Sequence, residues 1–208
     1  MIHFNFKYLL IGALSLCSFT GFSQAGFDTA NASSVLDGSA LTELFYSGDR
    51  NRGFSFNSTH VYVADWNKVV TYYEIGSTNS GTLNNSAVDG TGQTLPIFDV
   101  FATDSGILAS NLARNGEPFK IYKWEDNSSV ATVLLEYTSP ANSRLGEDIT
   151  FVGSPNGNGT LHILDRSASG NAYIWSVENG AIADPANPTV INFAGLGDQG
   201  ATPNINAV

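Results

Sequence analysis

The stretch from His60 to Ile75, HVYVADWNKVVTYYEI, decides the fold predicted for this chain of 208 residues. His60–Asp65 and Val69–Ile75 are rich in β-branched and aromatic residues, which suit the half-buried surface of a strand. Between them lie Asp and Asn, whose side chains bond nearby backbone N–H groups in turns. The stretch therefore predicts a β-hairpin.

Two later stretches, Gly106–Glu125 and Gly159–Glu178, repeat this pattern. In each copy a polar residue is expected where the first strand ends: Asp65, Asn111 and Asp165. An aromatic residue recurs in the second strand of each copy, at a spacing of 51 residues: Tyr73, Trp124 and Trp175. A strand-rich period of about 50 residues indicates blades of a β-propeller. The predicted fold is all-β, with about three propeller-like blades of four antiparallel strands each.

The chain is predicted to begin with a signal peptide at 1–25 and a lead-in at 26–40. Three blades follow at about 41–94, 95–143 and 144–193, and Leu41–Tyr46 is a candidate short strand of the first. Residues 194–208 are the start of a further blade or a linker. Because closed propellers usually have about 4–8 blades, the ring is expected to be incomplete and the chain a fragment of a longer protein.

Residues 1–25 have the features of an export signal. Lys7 precedes the mostly apolar run Tyr8–Phe22, and Ser23-Gln24-Ala25 offers small residues for cleavage after Ala25. Cys17 follows Leu16 rather than a small residue, so it is taken as part of the signal and not as a lipid anchor. The mature chain is then predicted to contain no cysteine and no transmembrane helix.

The formal net charge of -10 disfavours nucleic acid as a partner, because binding a phosphate backbone needs clustered Lys and Arg. Solubility explains the acidity, and cation binding by turn carboxylates is the alternative. Asp49-Arg50-Asn51-Arg52-Gly53 is interpreted as a turn, since it lacks the downstream Glu of a calcium loop.

The repeats resemble those of secreted propellers of the NHL and YVTN type, in the core Tyr62-Val63-Ala64-Asp65 and the strand after it. Three further blocks resemble a family of secreted bacterial proteins of unknown function, the DUF4623-like group: Gly106–Leu112, Pro118–Trp124 and Arg144–Asp148. The likeness runs from Leu41 to Phe193. It implies a propeller-like fold and supplies no catalytic residue.

No catalytic, cofactor or metal site is predicted. His60 and His162 lie in strands of different blades, whereas zinc needs three or four convergent ligands. No carboxylate cluster is expected at one end of the axis. The adjacent pairs Glu125-Asp126 and Glu147-Asp148 are expected to point to opposite faces of a strand.

Several other residues are candidates for packing, binding or modification. Tyr73, Trp124 and Trp175 are predicted to fill the space between blades, with sugar stacking as the alternative. Three arginines near strand starts are candidates to face a central channel: Arg52, Arg114 and Arg144. Three sequences match glycosylation acceptors and are interpreted as turns, at Asn57, Asn127 and Asn158.

The predicted function is an exported, noncatalytic binding or scaffold module of the cell envelope or extracellular space, with a protein or glycan as partner. The alternative is a propeller enzyme, such as a glycan lyase, hydrolase or lactonase, with its site in the channel and partly in missing blades. An anchored surface or adhesion protein is the third possibility.

Overall fold

The structure is a computed structural model that describes residues 51–65, 67–89, 95–167 and 170–193. Within these ranges the secondary structure is β throughout, with no helix. The strands are β1 Asn51–Phe56, β2 His60–Asp65, β3 Val69–Glu74, β4 Ser80–Thr82, β5 Leu95–Thr103, β6 Gly106–Arg114, β7 Pro118–Trp124, β8 Thr132–Thr138, β9 Arg144–Leu145, β10 Ile149–Gly153, β11 Gly159–Leu164, β12 Asn171–Val177 and β13 Thr189–Asn192. The all-β prediction is confirmed.

The first sheet has the order β1-β2-β3-β4, with every neighbouring pair antiparallel. The predicted hairpin is confirmed, because β2 and β3 pair from His60 with Glu74 to Asp65 with Val69. Asp65 Oδ1 accepts a hydrogen bond of 2.8 Å from the Asn67 N–H, and Lys68 has φ 72°. These two features make the turn that the Asp and Asn residues predicted.

The second sheet has the order β5-β6-β7-β8, and β9 also pairs with β6. The sequence analysis missed β9, which adds Arg144 and Leu145 opposite Arg114 and Ala113. The third sheet, β10-β11-β12-β13, repeats the four-stranded antiparallel pattern. The described residues thus form three separate blade-like sheets rather than a closed barrel.

Asn111 does not end a strand, contrary to the prediction. It lies inside β6, which continues to Arg114, and it is fully buried. Its Oδ1 accepts a 2.7 Å hydrogen bond from the Lys120 N–H, and its Nδ2 donates one of 2.7 Å to the Pro118 carbonyl. The Asn111 side chain therefore replaces the main chain of β6 as the hydrogen-bond partner of β7, just before β6 begins to pair with β9.

The three sheets stack through two apolar cores. Trp124 lies in the core between the first and second sheets, with Tyr62 from β2. Trp175 lies in the core between the second and third sheets, with Leu108 from β6. Both indoles are fully buried, so the prediction that these tryptophans fill the space between blades is confirmed. Burying such a side chain stabilises the fold by about 2 kcal/mol or more.

Side-chain donors of the second and third sheets also reach main-chain carbonyls of a neighbouring sheet or of the loop beside it. Lys123 Nζ donates to the Gly180 carbonyl at 2.8 Å, and Trp124 Nε1 donates to the Asn84 carbonyl at 2.9 Å. Asn156 Nδ2 donates to the Ser105 carbonyl at 2.6 Å. These bonds supply partners for carbonyls that loops would otherwise leave to water.

Several predictions lie outside the described residues: the signal peptide at 1–25, the lead-in at 26–40, the strand at Leu41–Tyr46, the start of the turn at Asp49, and the tail at 194–208. The described ranges contain no helix that could span a membrane.

Candidate functional site

A groove opens between the first and second sheets at the end where β1 turns into β2 and β5 turns into β6. Its volume is about 380 Å³, within the usual range of ligand pockets, which is about 300–1,000 Å³. The lining combines hydroxyl, amide, carboxylate and aromatic groups: Asn57, Thr59, His60, Tyr62, Thr103, Asp104, Gly106, Ile107, Glu125, Asp126, Asn127 and Ser128.

Asn57 is the residue that ties the two walls of the groove together. Its Oδ1 accepts hydrogen bonds from the backbone N–H groups of Thr59 at 3.0 Å and His60 at 2.8 Å, which fixes the turn. Its Nδ2 donates across the groove to the Thr103 carbonyl at 3.2 Å. The interpretation of Asn57 as turn chemistry is therefore confirmed, and the residue also joins the sheets.

His60 and Tyr62 form the aromatic part of the wall. The His60 ring meets the Tyr72 ring edge to face at 5.4 Å, and its Nδ1 lies 2.8 Å from Thr59 Oγ1. The Tyr62 hydroxyl donates to Asn127 Oδ1 at 2.8 Å, across the gap from β2 to the turn after β7. Burial raises the pKa of Tyr62, so the phenol stays protonated and keeps donating.

The groove is negatively charged. Hydrogen bonds from Ser58 hold the pKa of Asp104 below its usual value, and those from Ser128 do the same for Asp126. Glu125 precedes Asp126 in a turn after β7, not in a strand, and both line the groove. The expectation that this pair points to opposite strand faces is wrong, because β7 ends at Trp124.

A second polar cluster lies where the first strands of the three sheets meet. Asp99 follows a bulge in β5, and its Oδ2 accepts a hydrogen bond of 3.1 Å from the Ile149 N–H of β10. Its Oδ1 accepts another of 2.9 Å from the Val100 N–H. Burial, with a smaller contribution from Asp148, raises the pKa of Asp99 to about 7 despite these two donors.

Glu147 and Asp148, just before β10, both reach Arg166. Asp148 Oδ2 lies 3.1 Å from Arg166 Nη1, and Glu147 Oε2 lies 3.6 Å from Arg166 Nε. Glu147 also pairs with Arg144. The two carboxylates converge because residues 146–148 form a bend and not a strand. We call Asp99, Arg144, Glu147, Asp148 and Arg166 the junction cluster.

The remaining predicted residues are dispersed. His162 lies on the opposite side of the third sheet from its core, and Tyr73 is half-buried on the first sheet. The Arg52 guanidinium lies 5.8 Å from the Phe98 ring centre, while Arg114 faces Arg144 across the β6–β9 pair. Asn158 accepts a 2.9 Å hydrogen bond from the Asn179 N–H, as a turn residue does.

The sequence analysis missed Asp99 and Asp104 as site residues. Asp104 follows Thr103 in a two-residue turn with Ser105, and an Asp in such a turn is usually local chemistry. For Asp99 a signal was present, since an acid in the apolar run Leu95–Ala102 predicts a buried carboxyl that needs partners. Among the described residues, no group of three or more His, Cys, Asp and Glu is arranged to hold a metal ion.

Comparisons with known proteins agree with this fold. The family model described as "Domain of unknown function (DUF8500)" matches residues 68–208, which is more than half of the chain. No curated protein is similar to the chain by sequence.

A solved structure of a DUF4623 family protein from Bacteroides eggerthii DSM 20697 is similar, with 20% sequence identity and a TM-score of 0.59. The alignment covers 69% of this chain and 35% of that chain, so the present chain spans about a third of that protein's length. Likeness at this identity concerns the fold alone. It supports the resemblance to the DUF4623-like group at that level, while the likeness to NHL and YVTN repeats stays a prediction.

Proposed function

This chain belongs to the DUF8500 family of domains of unknown function, and we propose that it is an exported, noncatalytic module that binds a glycan. The observation that carries the proposal is the groove between the first and second sheets. Export rests on the sequence of residues 1–25, which places a basic residue, an apolar run and small residues in the order of a signal peptide.

The chemistry of the groove suits a ligand rich in hydroxyl groups. Asp104, Glu125 and Asp126 offer carboxylate acceptors, while Thr59 and Ser128 offer hydroxyl groups that both donate and accept. The His60 ring, held edge to face by Tyr72, supplies a flat apolar surface. A recess of this size and polarity favours a glycan over a protein, because stable protein interfaces are broad and bury about 1,600 Å² in total.

The charge of the groove narrows the class of glycan. Asp104 and Asp126 are ionised at neutral pH, since hydrogen bonding lowers the pKa of both. An anionic sugar would meet like charges without a cation to offset them. We therefore expect neutral oligosaccharides to bind more tightly than uronic acids or sulfated sugars.

The test is binding to an array of neutral and anionic oligosaccharides, followed by titration calorimetry with the best neutral sugar. His60→Ala should weaken binding about tenfold or more, equivalent to about 1.4 kcal/mol. His162→Ala is the matched control, since this histidine lies on a different sheet, and it should bind as the wild type does. Failure of every neutral sugar to bind, or equal loss in both variants, would overturn the proposal.

An enzyme is the second candidate, as a glycan lyase, hydrolase or lactonase acting at the junction cluster. The observation in its favour is Asp99, whose pKa of about 7 suits a general acid. Both Asp99 oxygens accept backbone hydrogen bonds, however, which favours a structural role. Turnover of a sugar or lactone that Asp99→Asn abolishes in a folded protein would establish the enzyme over the binding module.

A further inference from the structure

Each end of the stack presents a sheet face that the other two sheets do not cover. On the third sheet this outward face holds two rows of paired residues across β10, β11 and β12. The rows are Thr150-His162-Ile174 and Val152-Thr160-Ser176. Val152, one residue before the end of β10, is 58% exposed on this face.

The first sheet presents the matching face at the other end of the stack. Its two rows, across β1, β2 and β3, are Phe54-Val63-Thr71 and Phe56-Val61-Tyr73. Phe54 is 55% exposed. Large exposed apolar side chains grouped on one face are typical of a surface that meets another protein.

The two outward faces are opposite sides of the repeated sheet, and the packing within the chain shows how these two sides contact each other. The pair Val61-Tyr73 corresponds to Ile107-Trp124 and Leu161-Trp175, and in both later sheets this side packs on the preceding sheet. The pair His162-Ile174 corresponds to Leu108-Lys123, and Leu108 lies under the third sheet. The outward face of the first sheet is therefore the side that packs on a preceding sheet. The outward face of the third sheet is the side on which a following sheet packs.

The charge of the two outward faces and the shape of the third sheet both favour contact between these faces. None of the side chains in these four rows is Asp, Glu, Lys or Arg, although the chain has a formal net charge of -10. Two acidic molecules approach most easily through faces that carry no charge. A recess of about 210 Å³ also opens beside β12 on the third sheet, and its lining combines Ile174, Ser176 and Thr189 with the acids Glu178 and Asp184. It offers a place for a side chain from the covering sheet.

We propose that the outward face of the first sheet docks on the outward face of the third sheet of a second copy of this chain. The contact is head to tail, and it continues the sheet-on-sheet packing seen within the chain with the same polarity. A head-to-tail contact of this kind closes into a ring if the rotation allows and otherwise extends into a filament.

Molar mass in solution, measured by light scattering over a range of concentrations, tests the proposal. The wild-type chain should show a mass of two or more copies. Phe54→Glu and Val152→Glu should each reduce it to one copy, because each places a carboxylate in the contact. Val133→Glu is the control, since Val133 is 47% exposed but lies on the outer strand of the second sheet, and it should leave the mass unchanged.

Mixing the two variants distinguishes a head-to-tail contact from a symmetric one. Phe54→Glu keeps an intact third sheet and Val152→Glu keeps an intact first sheet, so an equimolar mixture should form pairs through one unmodified contact. Thermal unfolding by circular dichroism verifies that both variants are folded. A monomeric wild type, or a mixture that stays monomeric while the wild type associates, would overturn the proposal.

Discussion

Asp99 and Ile149 join the second and third sheets through one hydrogen bond, in which the Ile149 N–H donates to Asp99 Oδ2 at 3.1 Å. The bond lies where the first strand of each sheet approaches its neighbours. On the other side of Asp99, Gly53 of β1 packs against the backbone at Val100, at 2.6 Å from the position that a Cβ would take. A single carboxyl group therefore lies at the meeting point of all three sheets.

The buried carboxyl of Asp99 predicts a pH dependence of stability. Its pKa is raised from 3.8 to about 7, so the folded state binds the proton more tightly than the unfolded state. The stability that this group contributes is fully present below pH 3.8 and is lost as the pH rises through about 7. The change is on the order of 4 kcal/mol, because the pKa is about 7 in the folded state and 3.8 in the unfolded state.

The variant Asp99→Asn lacks this titration, and urea unfolding measures the result. Relative to the wild type, its free energy of unfolding should rise between pH values of about 4 and about 7, the range that the two pKa values of Asp99 bound. Identical pH profiles for the two proteins would show that Asp99 does not titrate in this range in the folded state.

Substitution of Gly53 should destabilise the fold. In Gly53→Ala the new Cβ would lie 2.6 Å from Asp99 Cα and from the Val100 backbone nitrogen, so β1 or β5 must shift. Overpacking of this kind costs about 1–3 kcal/mol. The melting temperature measures it, with Gly157→Ala as control because the nearest atom there is Ser154 Oγ at 3.3 Å. Equal melting temperatures for the two variants would contradict the prediction.

Loss of the Asn111 amide should also destabilise the fold. Asn111→Ala leaves the Lys120 N–H and the Pro118 carbonyl without their partner in a buried place. Unsatisfied buried groups cost about 1–3 kcal/mol each. Denaturant unfolding tests this, and Asn158→Ala, which removes one exposed hydrogen bond, should have a much smaller effect. An equal decrease in the free energy of unfolding of both variants would contradict the prediction that the buried contacts of Asn111 matter more.

The two adjacent acids of the junction cluster are expected to contribute unequally to stability. The Glu147 side chain is 16% exposed and reaches both Arg144 and Arg166, whereas Asp148 is 41% exposed and reaches Arg166. Glu147→Gln should lower the free energy of unfolding by about 1–3 kcal/mol, since Arg144 loses this carboxylate and Arg166 keeps only Asp148. Asp148→Asn should change it by less than about 1 kcal/mol. Unfolding at low and high salt measures both, and the reverse order would refute the assignment.

The strands were predictable because their signal is local. Runs such as Val69–Glu74 and Phe119–Trp124 carry β-branched and aromatic residues, and the turns between them carry Asp, Asn and Gly. The burial of Trp124 and Trp175 followed from their equal places in the repeat, whereas Tyr73, at the corresponding place in the first sheet, is only half-buried.

The polar sites were not predictable because they depend on how separate segments meet. Glu147 and Asp148 converge on Arg166 through a bend, and no sequence periodicity reports a bend of that shape. The groove combines turns from two sheets, so Asn127 becomes a neighbour of Tyr62 only after the sheets stack. The partner of Asp99 lies 50 residues away along the chain, in another sheet.

The hydrogen bonds from Lys123, Trp124 and Asn156 to main-chain carbonyls affect how freely this sequence can change during evolution. Every amino acid has a carbonyl, so the receiving positions at Gly180, Asn84 and Ser105 place no demand on side-chain identity through these bonds. The donors, in contrast, must keep their N–H groups. Among homologues, the receiving loops can therefore diversify around a constant spacing of the sheets, and new binding specificities can arise in them without rebuilding the scaffold.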